Sequence, residues 1–192
     1  MKKLLATLFT ATLLLSFAHG ASITWGTNAD TLSFQDGSTL TTGSAFLYLV
    51  DTATGAIPTY VVGSGWNTSG ATFVAMTSVD SAGYVEVTST VDYATQYKTL
   101  ADGFQYVLLI TNETVDSLDA LGEDMWYLTS ELAKLVDGGS TDPDNPAAAA
   151  GEVWFDADGT TGWTQITDVP EPTVLALLAL GVAGLALKRK VA

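Results

Sequence analysis

Hydrophobic residues in the middle of the chain occur in short runs that glycine and polar residues separate. Residues 44–50 form such a run between Gly43 and Asp51, which is typical of a buried strand. Residues 104–111 include five consecutive apolar side chains and are predicted to form a central strand. The other predicted strands are residues 59–62, 72–79, 84–91, 154–155 and 162–166.

Strict alternation over residues 84–91 predicts a strand with one buried and one solvent-facing side. Two short helices are predicted at residues 114–121 and 130–136, and we expect them to decorate a sheet. The spacing of strands and turns predicts a mainly β fold, with a β-sandwich-like exported domain. The buried side of residues 84–91 carries Val85, Val87 and Val91, and the other side carries Tyr84, Glu86 and Thr88.

Residues 1–20 have the pattern of a secretory signal peptide. Two lysines precede an apolar run at residues 4–15, and small residues follow that run. We predict that signal peptidase cuts between Gly20 and Ala21, with a cut before His19 as the alternative. The protein is therefore expected to be exported.

Residues 169–192 contain a stiff segment, an apolar run and a basic cluster, in that order. The stiff segment is Val169, Pro170, Glu171 and Pro172, and proline geometry predicts that it is extended. Residues 173–187 carry no charge and are predicted to form a single transmembrane helix about 22 Å long, which is thin for a hydrocarbon core of about 30 Å. The basic cluster, predicted to be cytoplasmic, is Lys188, Arg189 and Lys190.

This three-part arrangement resembles the PEP-CTERM sorting signal, over residues 169–190 only. The resemblance implies processing by an exosortase, a membrane-embedded cysteine transpeptidase that cuts near the Pro-Glu-Pro motif. It also implies a transient stay in the inner membrane and delivery to the cell surface or the extracellular space. A single-pass anchor that is never cut is the alternative interpretation.

Residues 21–168 remain as one predicted exported domain of 148 residues. Lys98 and Lys134 are its two basic residues against 20 acidic ones, which gives a formal charge of −18. This charge argues against binding to nucleic acid or to anionic lipid, since both require a basic surface. Solubility outside the cell is the simplest reason for it.

The chain has no cysteine, and its one histidine, His19, lies in the predicted signal peptide. A mature protein that begins at Ala21 lacks the residues of Ser-His and Cys-His nucleophile systems and of common zinc sites. We therefore expect a protein that is not an enzyme and that requires no cofactor.

Two pairs of aspartates are weak calcium candidates. The segment that starts at Asp156 is similar to the opening of an EF-hand loop, but Gly159 comes two positions early and Thr167 replaces the usual glutamate. We interpret residues 156–161 first as a hairpin turn between two strands. The candidate ligands are Asp142, Asp144, Asp156 and Asp158.

Five tryptophans lie in the exported domain, and aromatic platforms on a β domain can stack on sugar rings. Trp66 stands between glycine and asparagine and is the best candidate for exposure, whereas Trp126 and Trp154 are expected in the core. The sequence thus predicts a surface or extracellular-matrix protein with a structural or interaction role, in association with exopolysaccharide or biofilm matrix. A carbohydrate-binding module is the first alternative, and a matrix-acting glycoside hydrolase that uses a pair of carboxylates is the second.

Overall fold

The computed structural model describes residues 20–28, 31–138, 149–156 and 162–167. Within those ranges the chain forms eleven strands and two 3₁₀ turns, Leu100–Asp102 and Leu118–Ala120. The strands are β1 (Gly20–Thr27), β2 (Ser44–Asp51), β3 (Thr59–Val61), β4 (Gly65–Asn67), β5 (Ala71–Ser78), β6 (Glu86–Asp92), β7 (Phe104–Thr111), β8 (Trp126–Thr129), β9 (Val136–Asp137), β10 (Ala150–Phe155) and β11 (Thr164–Gln165).

The strands form two open sheets and one separate hairpin. The first sheet has the order β6-β1-β10-β9, the second has the order β11-β8-β7-β2-β5, and β3 pairs with β4. All pairs are antiparallel except β1 and β10, which run parallel. The predicted mainly β class is therefore confirmed, and β7 has the central position that its apolar run predicts.

One buried cluster takes side chains from both sheets and forms the main core. Trp25 and Val153 come from the four-stranded sheet, and Leu47 and Leu108 come from the five-stranded sheet. Val85 and Val91 also lie in this cluster, so the alternation in residues 84–91 identified the inward side correctly. The two sheets therefore bury their facing sides against a common apolar layer.

The opposite face of the five-stranded sheet is buried as well. Tyr48 and Val107 belong to a second cluster, which Leu118, Leu121 and Ile166 cover from outside the central strands. Strands β2 and β7 therefore lose water on both faces. This explains why their sequences are continuous apolar runs instead of alternating patterns.

The helix predicted at residues 130–136 is wrong, and the one predicted at residues 114–121 is reduced to a short 3₁₀ turn. Residues 114–121 contain one 3₁₀ turn, and residues 130–136 are extended, with Ala133 forming a β-bridge to Tyr106. The Ala133 amide donates to the Tyr106 carbonyl at 2.8 Å, and the reverse bond measures 2.7 Å. Nucleation of a helix is unfavourable, and a seven-residue helix forms too few hydrogen bonds to offset it. Hydrogen bonds to a neighbouring strand are therefore favoured.

The predicted strands near residues 154 and 164 exist, but they do not form a hairpin. β10 pairs with β1 and β9 in one sheet, whereas β11 pairs with β8 in the other. Trp154 is not in the core either, because Val153 and Phe155 face inward and Trp154 is on the other side of the strand. Its indole N–H donates to the Glu152 carboxylate at 3.0 Å.

Several predicted features lie outside the described residues. These are the signal peptide as far as residue 19, the transmembrane segment 173–187, the sorting and basic residues around it, and Asp142, Asp144 and Asp158. Within the described ranges, no helix has the length and apolar content required to cross a membrane.

Candidate functional site

The chain is held in the fold immediately before the predicted sorting motif. Ile166 is 1% exposed in the second cluster, its amide donates to the Met125 carbonyl at 2.8 Å, and its carbonyl accepts from the Asp124 amide at 3.1 Å. The Gln165 side-chain amide also donates to the Asp124 carboxylate at 2.9 Å. These contacts position the chain up to Ile166, which is three residues before Val169.

Covalent geometry then limits the distance between the folded domain and the motif. Residues 168–172 can span at most about 18 Å in any conformation, because an extended chain advances about 3.3–3.6 Å per residue. An enzyme that cuts near Pro-Glu-Pro must therefore work close to the domain surface around Asp124 and Met125.

The predicted signal-peptidase site lies at the start of β1. Gly20 pairs with Asp92 and Ala21 pairs with Val91, and the Ala21 side chain is 2% exposed. A peptidase cleft requires an extended chain with free backbone groups. Cleavage between Gly20 and Ala21 is therefore compatible only with a chain in which β1 has not yet entered its sheet.

Trp66 lines a groove on the outer side of the five-stranded sheet, and we call it the aromatic groove. Its volume is about 350 Å³, and its walls include Tyr48, Phe73, Asp116 and Asp119. Trp66 is half-buried, not exposed as the sequence predicts, because its ring packs edge-to-face on Tyr60 at 5.7 Å and on Tyr127 at 4.8 Å. β-Hairpin packing against the sheet causes this burial.

Aromatic faces and carboxylates meet in this groove. Tyr48 and Phe73 pack edge-to-face with ring centroids 5.7 Å apart, and Phe73 is 46% exposed. Burial raises the pKa of the Tyr48 hydroxyl, and the nearby Asp119 charge adds to the effect. The indole nitrogen of Trp66 is buried and has no acceptor among the described residues. The groove thus combines apolar rings with a few polar groups, as small-ligand sites do.

The calcium candidates are only partly described. Asp156 accepts a hydrogen bond from the Asn28 side-chain amide. Among the residues that the structure places, no group of three or more His, Cys, Asp or Glu side chains could hold a metal ion. A glycoside hydrolase would need a pair of carboxylates, and none of the five described glutamates lines the aromatic groove. These are Glu86, Glu113, Glu123, Glu131 and Glu152.

A buried tyrosine network has no counterpart in the sequence predictions. The Tyr106 hydroxyl is fully buried, donates to the Gln96 carbonyl at 2.6 Å and accepts from the Lys98 amide at 3.0 Å. Burial raises the pKa of Tyr106 to about 12. Tyr97 donates to the Asp137 carboxylate at 3.1 Å, and burial together with that charge raises its pKa further. These hydrogen bonds connect the turn after β6 to the buried Tyr106, so we assign the network a role in stability.

Comparison with known proteins gives one match. Residues 168–190 match the family model of the PEP-CTERM protein-sorting motif, which covers the three-part segment described above. No curated protein and no solved structure is similar to the chain. The chain is therefore an exported protein that carries a PEP-CTERM sorting motif for an exosortase at residues 168–190.

Proposed function

We propose that this protein is a non-enzymatic cargo of the cell surface or extracellular matrix, with a structural or interaction role in exopolysaccharide or biofilm matrix. Signal peptidase removes residues 1–20, and the exosortase cuts near Val169–Pro172 while residues 173–187 hold the chain in the inner membrane. The observation that supports this proposal is the junction at Ile166, where the folded domain adjoins the sorting motif without a spacer.

The charge distribution agrees with this division of roles. Two of the seven basic residues lie in residues 21–168, so removal of both ends leaves an acidic domain with a formal charge of −18. Such a domain is soluble and repels anionic membrane surfaces, which suits a protein released from its anchor.

Mass spectrometry of the protein recovered from the producing cells tests the sorting step. The protein outside the membrane should begin at Ala21 and lack Lys188, Arg189 and Lys190. Glu171→Ala should leave the chain in the membrane fraction with its basic cluster, whereas the control Glu131→Ala changes an exposed glutamate in the domain and should leave processing unchanged. Release of Glu171→Ala at the wild-type rate would contradict the proposal.

Carbohydrate binding is the second candidate, and the aromatic groove favours it. A sugar ring can lay its C–H face on the exposed Phe73 ring while its hydroxyls donate to Asp116 and Asp119. Trp66 supports this wall from the hairpin side.

Affinity electrophoresis in gels that contain the cell's own exopolysaccharide tests this candidate. The polysaccharide should slow the migration of the wild-type protein but not that of Phe73→Ala or Trp66→Ala. Leu100→Ala removes a side chain that is 51% exposed and does not line the groove, so it should leave retardation unchanged. Equal migration of the wild-type protein with and without polysaccharide would exclude this role.

A further inference from the structure

Strand β5 is the last strand of the five-stranded sheet and presents a long open edge. It has eight residues and pairs with β2 on one side, and no strand of the described chain pairs with its other side. The Gln96 side-chain amide donates to the Phe73 carbonyl at 3.1 Å and so occupies that acceptor. Unpaired backbone groups along such an edge are available to a further strand.

The other sheet edges are protected in ways that β5 is not. β9 and β11 are two residues long, and β6 carries Glu86 and Asp92. Short length and charge are the usual means by which proteins prevent edge-to-edge pairing. β5 has neither, since its sequence contains no charged residue, proline or internal glycine. It is thus a long, uncharged edge, and among the described residues its protection is limited to the β-bulge at Val74 and the Gln96 contact.

The uncharged character extends well beyond β5. Residues 52–79 contain no Asp, Glu, Lys or Arg, although residues 21–168 carry a formal charge of −18. Four of the eight large hydrophobic side chains that are exposed in the described chain lie in this stretch, and they are Val61, Val62, Phe73 and Met76. Two copies of so acidic a domain repel each other over most of their surfaces, and this stretch adds no charge of its own to that repulsion, although Asp116 lies near Phe73 and Met76.

A β-bulge aligns the exposed apolar side chains of β5. Tyr48 pairs with Phe73 and Leu47 pairs with Ala75, so Val74 is the extra residue. The extra residue shifts the alternation and places Phe73 and Met76 on the same face, beside Tyr48 and Phe46 respectively. Antiparallel pairing of β5 with another β5 would bring these side chains of both copies onto one continuous face.

We propose that β5 pairs antiparallel with β5 of a second copy of this chain, so that two five-stranded sheets join into one. A two-fold axis relates the copies, and each contributes the same uncharged strand to the interface. This assembly does not depend on how the protein is sorted. It would convert the released domain into a dimeric building unit.

Sedimentation velocity over a concentration series of the protein recovered from cells tests the proposal. The wild-type protein should form dimers, and Thr72→Glu should raise the dimer dissociation constant by about 10-fold or more, because a charge on an edge strand opposes strand pairing and each copy contributes one. Thr90→Glu adds the same charge on exposed β6 and should leave the constant unchanged. A wild-type protein that is monomeric at all concentrations, or a dimer that Thr72→Glu does not weaken, would overturn the proposal.

Disulfide trapping gives an independent test, since the chain contains no cysteine. A single introduced cysteine can therefore be oxidised only with its counterpart in another copy. Ala75→Cys lies near the middle of β5, where it would meet its counterpart across the two-fold axis, and should give cross-linked dimers under mild oxidation, whereas Thr90→Cys should not. Equal cross-linking from both positions would show random collision and overturn the proposed interface.

Discussion

The contact between Ile166 and the second cluster is the feature that places the domain directly beside its sorting motif. We expect Ile166→Ala to destabilise the domain strongly. The side chain is 1% exposed and packs in the cluster that contains Leu118, Leu121 and Tyr127. The substitution keeps the backbone bonds to Met125 and Asp124 but removes this packing.

The magnitude follows from the buried atoms. Isoleucine loses three carbon atoms when it becomes alanine, which at about 0.8 kcal/mol per buried methylene corresponds to roughly 2.4 kcal/mol. A cavity term increases this loss in rigid cores, and measured isoleucine-to-alanine changes fall at about 2–5 kcal/mol. Ile166 is one residue from the end of the described chain, where relaxation can fill part of the cavity. We therefore expect a loss of about 2–3 kcal/mol.

Urea unfolding of the recovered protein, followed by tryptophan fluorescence, measures this change. With an m-value of about 1–3 kcal/mol per molar, the midpoint should fall by about 0.7–3 M. Val62→Ala is the matched control, because Val62 is 46% exposed and its truncation should cost less than about 0.5 kcal/mol. If Ile166→Ala costs no more than the control, the residue does not dock in the core, and the inferred proximity of domain and motif fails.

The remaining predictions concern the tyrosine network, acid stability and the sorting junction. Tyr106→Phe should reduce the free energy of unfolding by about 1–3 kcal/mol, because the Gln96 carbonyl and the Lys98 amide lose their partner. Since the folded pKa of Tyr106 lies near 12, above the unfolded value of about 10, its contribution is complete below pH 10 and disappears as the pH rises to 12. Urea midpoints between pH 9 and 12 should therefore fall less steeply in Tyr106→Phe, and an unchanged slope would refute this assignment. Hydrogen bonds from the Thr99 backbone amide and, next, from its side chain lower the pKa of Asp102, so its contribution is present above the unfolded pKa of about 4 and is lost as the pH falls through the lower folded value. The urea midpoints of Asp102→Asn should then change less between pH 5 and pH 2 than those of the wild type. If the two proteins have identical midpoints at every pH, Asp102 does not contribute to acid stability in this way. Insertion of five Gly/Ser residues between Thr167 and Asp168 doubles the maximal reach to the motif and should accelerate exosortase processing in a pulse-chase experiment, because the domain surface then hinders access to the motif less. An unchanged or slower rate would contradict this steric effect of the short junction.

The strands predicted well are those whose local pattern reflects their surroundings. The apolar runs of β2 and β7 predict burial on both faces, and the alternation in residues 84–91 predicts which side of β6 meets the core. The sequence pattern did not predict β1, because its eight residues include two glycines and three residues with hydroxyl side chains. Its hydrophobic core residues are Ala21, Ile23 and Trp25. Its strand conformation depends on partners that are distant in sequence.

The errors have a common physical origin. Residues 130–136 do not form a helix because Ala133 forms backbone hydrogen bonds to Tyr106 instead. Tyr106 is distant in sequence, so the local pattern does not reveal this partner. Trp66 stands between polar and glycine residues, yet the β3–β4 hairpin folds its ring onto Tyr127. Trp154 has apolar neighbours in sequence, yet those neighbours occupy the inward positions of β10.

The sequence by itself determined the sorting motif, the acidity of the domain and its β character, because each of these depends on residue type and spacing within a short segment. The tertiary structure alone decided which strands pair, as in the parallel contact of Ser22 with Ala150, and which aromatic rings are covered. It also decided that β5, with no charge to protect it, lies at the edge of its sheet. Hydrogen-bond partners and the covering of a face come from segments far apart along the chain, and no local pattern specifies them.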